Sequence, residues 1–333
     1  MAAQWTVPDG LRTAPPRLPV EGLLPAFAAP ADLRGKVVLV NFWTYTCVNW
    51  LRQLPYVRAW AHKYADHGLV VVGVHTPEFG FERDPANVAR AVRSLRVDYP
   101  VVADDDHAIW TAFGTSAWPA LYLADADGRI RRHYLGEGEY QQTESAIQAL
   151  LLERGASGFD PAPVAVHPEG IEAPADWPTL RTAETYTGYQ RATSFASPVF
   201  VSPDGLVRDR RHRYTAPAKL GLDSWALSGE WTAQPQTVVS DAGGGRIAYR
   251  FHARDLHLVL APATPGGSVR FRVRLDGRAP GPAHGLDVDA DGNGVLDEPR
   301  LYQLIRQPGD IVDRTFDITF DDAGAGAYAF TFG

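Results

Sequence analysis

A single cysteine, Cys47, stands in a chain of 333 residues. No intramolecular disulfide is therefore available, and cysteine pairing says nothing about the compartment. Basic charge is not in excess: 32 Lys and Arg face 39 Asp and Glu, for a formal net charge of −7, which argues against nucleic acid as a partner. No apolar run approaches the roughly 18–20 residues that a membrane-spanning helix needs. The opening MAAQWTVPDGLRTAPPRLP has no basic stretch followed by a long apolar one, so it does not read as a signal peptide. As written, the chain is expected to be soluble and cytoplasmic; trimmed from a longer precursor, it would be extracytoplasmic.

What is present is an ordinary globular composition, 45% hydrophobic and 21% charged, with length for two domains. After a Pro- and Ala-rich start over 1–35, KVVLVNFW (36–43) is a continuous apolar run, as expected of a strand covered on both faces. LRQLPYVRAWAHKYADHG (51–68) carries apolar residues at helical spacing, with Gly68 as a stop and Pro55 predicting a kink. LVVVGVH (69–75) reads as a second buried strand. A helix over 84–96 follows, with Asp84 as N-cap and Pro85 at its first position. A short strand (99–104), a short helix (106–114), a hairpin around Asp127-Gly128 (119–136) and a closing helix (141–155) complete an α/β layer fold over 1–155.

Residues 156–176 are Pro- and Ala-rich and aperiodic, as in a linker, and beyond them the period changes to two. In SVRFRVRLDG (268–277), Val269, Phe271, Val273 and Leu275 alternate with Arg270, Arg272 and Arg274, which read as a solvated face. Runs at 245–253, 255–261, 315–320 and 327–333 alternate similarly. Short alternating strands between Gly and Pro turns indicate an antiparallel β-sandwich, jelly-roll-like, over 177–333.

The stretch VNFWTYTCVNWLRQLPYV (40–57), with VVVGVHTPEF and WPALYLADADGRIRRHYLGEG downstream, resembles the thioredoxin-like redoxins of the TlpA/ResA type. The spelling NFWTYTCVNWLR, VHTPEF and FERDPANV is most similar to the soluble C-terminal part of DipZ-type proteins. Those join a thioredoxin-like domain to a carbohydrate-binding-module-like sandwich. ETYTGYQRA, WALSGEW and YRFHARDLHLVL carry the resemblance through the second half. Where the family would have a second cysteine, this chain has Trp50.

The resemblance places Cys47 at a helix N-terminus, where backbone N–H groups and the helix dipole stabilise a thiolate, the nucleophilic form. Trp50 carries no sulfur, so a mixed disulfide at Cys47 needs a second thiol from solution. This favours one-thiol exchange, or peroxide reduction through a sulfenic acid, over dithiol reduction. The partners so implied are a low-molecular-weight thiol or a thiol/disulfide protein. Many thioredoxins have a buried proton-moving Asp at the position of Asn41. By resemblance, Glu78 is the candidate for acid/base help, and Pro119 is a cis-proline whose backbone holds substrate polypeptide. Trp43, Trp50 and Trp118 are expected to crowd the Cys47 mouth as a narrow apolar approach. His75, ending a buried strand, reads as structural.

DVDADGNGVLDE (287–298) places Asp287, Asp289, Asp291, Asn293 and Glu298 at positions 1, 3, 5, 7 and 12 of an EF-hand-type pattern. It is a candidate Ca²⁺ loop, although its flanks are not helical; the other reading is a solvated acidic turn. No other cofactor is implied. Trp177, Tyr186, Tyr189, Trp225, Trp231 and Tyr302 are candidates for a glycan-stacking platform, or for core. Two functions follow. In one, Cys47 is a lone nucleophile and the sandwich targets or presents substrate. In the other, the redox site is silent and the protein binds a glycan or a protein through the sandwich or the Pro119 groove.

Overall fold

The computed structural model describes residues 33–198 and 205–333. All but the last three residues of the segment 1–35 lie outside the described residues. The chain divides into two compact units, one running to Glu172 and one from Ala173 to Gly333.

In the first unit the elements alternate as the sequence periodicity predicts: β1 (Val37–Trp43), α1 (Val48–Tyr64), β2 (Leu69–His75), α2 (Pro85–Ser94), β3 (Val101–Ala103), α3 (Ala108–Phe113), β4 (Ala120–Ala124), β5 (Ile130–Leu135) and α4 (Tyr140–Glu153). The sheet order is β3-β2-β1-β4-β5. β1 pairs parallel to β2 and antiparallel to β4. This is the thioredoxin-like arrangement. β1 is central and every residue of it is buried, which is why VVLVNFW shows no alternation. Val38, Val40 and Phe42 pack in one cluster with Val72, Val74, Val102 and Ile109. Asn41 and Trp43 face the other way and meet α1 through Trp50.

α1 begins at Val48, three residues before the apolar periodicity predicts. Cys47 is its N-cap in extended conformation, and the Cys47 carbonyl accepts from the Leu51 amide at 3.0 Å. Cysteine is not among the usual capping residues, so the sequence signal for this start is weak. The helix runs through Pro55 to Tyr64. α2 starts as predicted: Pro85 is its first residue and the Asp84 carboxylate accepts from Ala86 N at 2.9 Å.

The segment read as a linker does not begin as a free spacer. Within the first unit, Glu144 of α4 is buried and accepts from the Val164 amide at 2.9 Å, from Tyr64 Oη at 2.7 Å and from Lys63 Nζ at 3.1 Å. Arg58 pairs with Glu172 at 2.7 Å, and Phe159 meets the Tyr64 ring edge-on. Residues 156–172 are thus strapped onto α1 and α4, which is where the compact unit ends.

The second unit has eleven strands among the described residues: β6 (Thr185–Tyr186), β7 (Arg211–Tyr214), β8 (Ser224–Ala233), β9 (Val238–Ser240), β10 (Gly245–Phe251), β11 (Asp255–Pro262), β12 (Val269–Leu275), β13 (Asn293–Leu296), β14 (Arg300–Arg306), β15 (Arg314–Phe320) and β16 (Ala325–Phe332). One layer is β13-β12-β15-β10-β8, the other β8-β9-β16-β11-β14 with β6 and β7 at its side. β8 belongs to both. Its first half pairs with β10 and its second half with β7 and β9. The inner faces share one apolar core that includes Ile247, Phe271 and Ile318 from one layer and Leu258, Tyr302 and Phe330 from the other. The alternation in β12 is as read: Arg270, Arg272 and Arg274 are exposed between buried apolar residues. β14 is buried along almost its whole length, and so gives no period-two signal.

β8 changes layers around Gly229, whose φ is +94°. A Cβ there would lie 3.3 Å from the Gly245 Cα, and non-glycine residues rarely adopt that φ. Gly229→Ala should destabilise the second unit by about 2 kcal/mol. A calorimetric melt of the full chain in which neither transition moves would contradict this account of the bend.

Candidate active site

The residues around Cys47 converge because three chain segments end at the same edge of the sheet. Trp43, the last residue of β1, pairs with His75, the last residue of β2, and Trp43 O accepts from Thr76 N at 2.9 Å. Phe42 pairs with Ala120, the first residue of β4, so Pro119 stands just beyond that pair. The Trp118–Pro119 bond is cis. Between these ends the turn 44–47 leads into α1. Cys47 is partly exposed at its N-terminus, with no acidic residue in the first helical turn to oppose a thiolate.

Trp50 is not at a mouth. It is fully buried, one turn into α1, and stacks on Trp43 with centroids 4.3 Å apart and planes 22° from parallel. Its indole Nε1 donates to Asn41 Oδ1 at 3.0 Å. Asn41, also fully buried, donates through Nδ2 to Gln53 Oε1 at 2.9 Å. The place of a resolving thiol and a proton-moving acid is thus taken by an indole and two carboxamides, none of which titrates near neutrality. Trp43 is fully buried as well. The expected apolar approach formed by Trp43, Trp50 and Trp118 is therefore corrected: the first two are core, because large rings bonded and stacked inward gain more from burial than from lining an opening. Trp118 is partly exposed, lies 4.3 Å from Trp110 between ring centroids, and donates from Nε1 to Thr76 O at 3.0 Å.

Glu78 is half-buried in the loop after β2, and the carboxylate that reaches the turn belongs to Glu82 instead. Glu82 is fully buried in the short helical turn Gly80–Arg83. Its Oε1 accepts from Thr46 Oγ1 at 2.6 Å; its Oε2 accepts from the Glu78 and Phe79 amides at 2.6 and 2.8 Å. Burial pushes its carboxyl up to about 7, with the Thr44 and Thr46 hydroxyls and the Phe79 amide pulling the other way and the Glu78 charge adding to the rise. Sequence reasoning overlooks this residue. The sign available is a carboxylate flanked by Phe81 and, three positions earlier, Phe79. On the opposite side, Arg52 of α1 pairs with Glu137 at 3.1 Å, and both are nearly buried. The neighbouring Gly136 amide donates to Pro119 O at 2.7 Å, so the pair links α1 to the strand edge that holds the proline.

His75 is fully buried between Trp43, met edge-on at 4.8 Å, and Tyr45, stacked at 5.7 Å. Neither ring nitrogen has a partner among the described residues. Burial lowers its pKa to about 4, so the ring is neutral.

The family comparisons agree with this geometry. The Redoxin family description matches residues 26–151, and Thioredoxin like C-terminal domain matches residues 182–333. Thiol-disulfide oxidoreductase YkuV of Bacillus subtilis (strain 168) is 30% identical over 118 residues, which are 35% of this chain and 79% of that protein. The chain belongs to the redoxin family. This redoxin is also similar to Protein DipZ of Mycobacterium tuberculosis (strain CDC 1551 / Oshkosh), at 35% identity over 247 residues, 74% of the chain. It spans about a third of the length of the DipZ proteins it matches: 33%. The solution structure of a putative thioredoxin from Neisseria meningitidis is 28% identical, with TM-score 0.34, over 38% of the redoxin and 81% of that chain. Among the described residues, no helix is long and apolar enough to cross a membrane.

The second unit of the redoxin does not assemble the expected cation site. Asp287 pairs with Arg300 at 2.7 Å and accepts from Gln303 N at 2.7 Å. Asp289 accepts from Asn293 N at 2.8 Å and Nδ2 at 3.0 Å. Asn293 already belongs to β13, so positions seven to ten of the motif are strand rather than loop. Asp291 and Glu298 join no group of three His, Cys, Asp or Glu side chains among the described residues. The Asp287 and Asp289 carboxylates are directed to protein partners. Of the aromatic platform, Trp225, Trp231 and Tyr302 are fully buried core, while Trp177 is 57% exposed. The Arg191 guanidinium lies 3.4 Å over the Tyr186 ring, and Tyr189 Oη donates to Asp209 at 2.9 Å.

Glu82 and His75 act oppositely on stability. A carboxyl raised to about 7 makes the fold lose stability as pH rises from about 4.5 to 7, because the folded state holds the extra proton. A histidine lowered to about 4 makes the fold gain stability as pH rises from 4 to 6.5, because the unfolded state holds it. Each is worth on the order of 3 kcal/mol, so their effects largely cancel in the wild type. Glu82→Gln should unmask a rise in stability between pH 4.5 and 6.5 in chemical denaturation of the full chain. A Glu82→Gln profile parallel to the wild type would contradict the assignment.

Proposed function

We propose that this redoxin carries out one-thiol exchange at Cys47. The Cys47 thiolate attacks a disulfide R–S–S–R′, forming Cys47–S–S–R and releasing R′S⁻. A thiolate from solution, R″S⁻, then attacks the mixed disulfide, restoring the Cys47 thiolate and forming R–S–S–R″. Electrons balance between the external thiol and the external disulfide, and the protein returns unchanged. The observation that carries this reading is Trp50: the position of an internal resolving thiol is filled by a buried indole bonded to Asn41. The helix N-terminus supports the thiolate at Cys47. Trp118, which is partly exposed, and the backbone before the buried cis-proline Pro119 would hold the chain bearing the disulfide. The partners are a low-molecular-weight thiol and a thiol- or disulfide-bearing protein, which the second unit would present or recruit.

Oxidised glutathione should add one adduct per chain, read by intact-protein mass spectrometry, and Cys47→Ser should add none. A wild type that takes up no adduct under conditions that modify a free thiol peptide ends this reading in favour of a redox-silent binding protein.

Trp50→Cys tests the geometry of the turn. It restores two thiols three residues apart on the first helical turn, and mild oxidation should close an internal disulfide. The lost indole should lower stability by about 3–5 kcal/mol through the cavity it leaves. If W50C folds but never closes the disulfide, the turn is not arranged as a redoxin turn.

A further inference from the structure

We propose that Glu82, sealed behind the active-site turn, is a positioning residue that sets the conformation and nucleophilicity of Cys47 through Thr46. This rests on Cys47 being the nucleophile. Thr46 immediately precedes Cys47, is itself buried, and donates to Glu82 Oε1 at 2.6 Å. The other carboxylate oxygen takes the amides of Glu78 and Phe79, so one side chain joins the Cys47 turn to the loop after β2. Three donors on two oxygens is an arrangement for a carboxylate. When Glu82 holds a proton, that O–H requires an acceptor. The Thr46 hydroxyl, bonded to Oε1, can change from donor to acceptor, as can the neighbouring Thr44 hydroxyl; the two amides cannot. Proton uptake at Glu82 therefore rearranges the residue next to the nucleophile.

The second consequence is electrostatic. An ionised Glu82 sits in a site of low polarity close to the turn, where a like charge opposes a thiolate more than it would in water. Among the described residues, the groups facing Glu82 do not offset it. Glu78 is an acid and adds to the repulsion. Thr44 and Thr46 are neutral, and Tyr45, stacked on the neutral His75, brings no cation. Arg52, the nearly buried cation of α1, is paired with Glu137. Burial holds the Glu82 carboxyl near 7, a range that a thiol on a helix N-terminus can share, and coupled ionisation is the expected consequence.

The test is the rate of Cys47 alkylation by iodoacetamide from pH 5 to 10 in the full chain. It is run with wild type, Glu82→Gln, Thr46→Ser and Thr46→Val, each checked for native melting. Wild type should show a broadened, two-step profile. E82Q should show a single step with its midpoint lower by about half a unit or more, a like charge having been removed. T46S keeps the hydroxyl and should match wild type; T46V should not. A folded E82Q with the wild-type profile overturns the proposal. If E82Q does not fold, the contrast of T46S with T46V decides, and identical profiles for those two overturn it. A Cys47 that iodoacetamide fails to modify in every form ends the proposed function instead. The titration of Glu82, followed by ¹³C carboxyl shifts, tests the link to Thr46 separately: its midpoint should rise in T46V, and an unchanged midpoint overturns the proposal.

Discussion

The 3.0 Å hydrogen bond from the Trp50 indole to the Asn41 carboxamide is the contact around which the active-site end of the redoxin is organised. A redox turn with two thiols needs its second sulfur near a proton carrier. Here an indole fills the sulfur's place, and the buried carrier is an amide that passes the hydrogen bond on to Gln53. Trp50, the departure from the family pattern, is matched by the amide at Asn41. An Asp at position 41 would be a buried carboxylate met by neutral donors alone, the Trp50 indole and the Gln53 amide, an expensive arrangement. The Trp50 indole, the Asn41 carboxamide and Gln53 Oε1 bond one another and stay neutral at physiological pH, while Gln53 Nε2 has no partner among the described residues. This set fixes α1 against β1, and with α1 the N-terminus on which Cys47 rests.

Charge enters the site at its margins. Glu82 holds Thr46 from behind, and the Arg52–Glu137 pair holds α1 to the edge near Pro119. A buried ion pair of this kind adds little net stability compared with an apolar pair, but breaking it by removing one partner is costly. Cys47 thus lies between positions 46, 50 and 52, each tied inward by its own side chain. Cys47 is the partly exposed member of this set, as the proposed one-thiol chemistry with external partners requires.

The fold was largely legible in the sequence, because β1, β2 and the sandwich strands with one solvated face show their burial as runs or alternation. β8 and β14 were not, for a physical reason: β8 changes layers at Gly229 and β14 is covered on both faces, so neither has a clean period. The place of Cys47 at the helix N-terminus and the cis Trp118–Pro119 bond were legible from the motif. The inward direction of Trp50 and Trp43 was not, since a sequence gives the size of a ring but not which way it points. Glu82 was hidden because a buried carboxylate looks like any loop acid until its amide and hydroxyl donors are seen. The acidic loop misled in the opposite sense. Its ligand spacing fits a cation, yet Arg300, the Gln303 amide and Asn293 meet its carboxylates, and β13 begins inside it.

The central claim is that Cys47 turns over with an external thiol and without an internal one. The direct measurement is the reduction of a peptide–glutathione mixed disulfide by reduced glutathione, with wild type and Cys47→Ser compared at equal concentration. Wild type should accelerate the reaction in proportion to glutathione, and the acceleration should vanish in Cys47→Ser. Equal rates for the two proteins would contradict it.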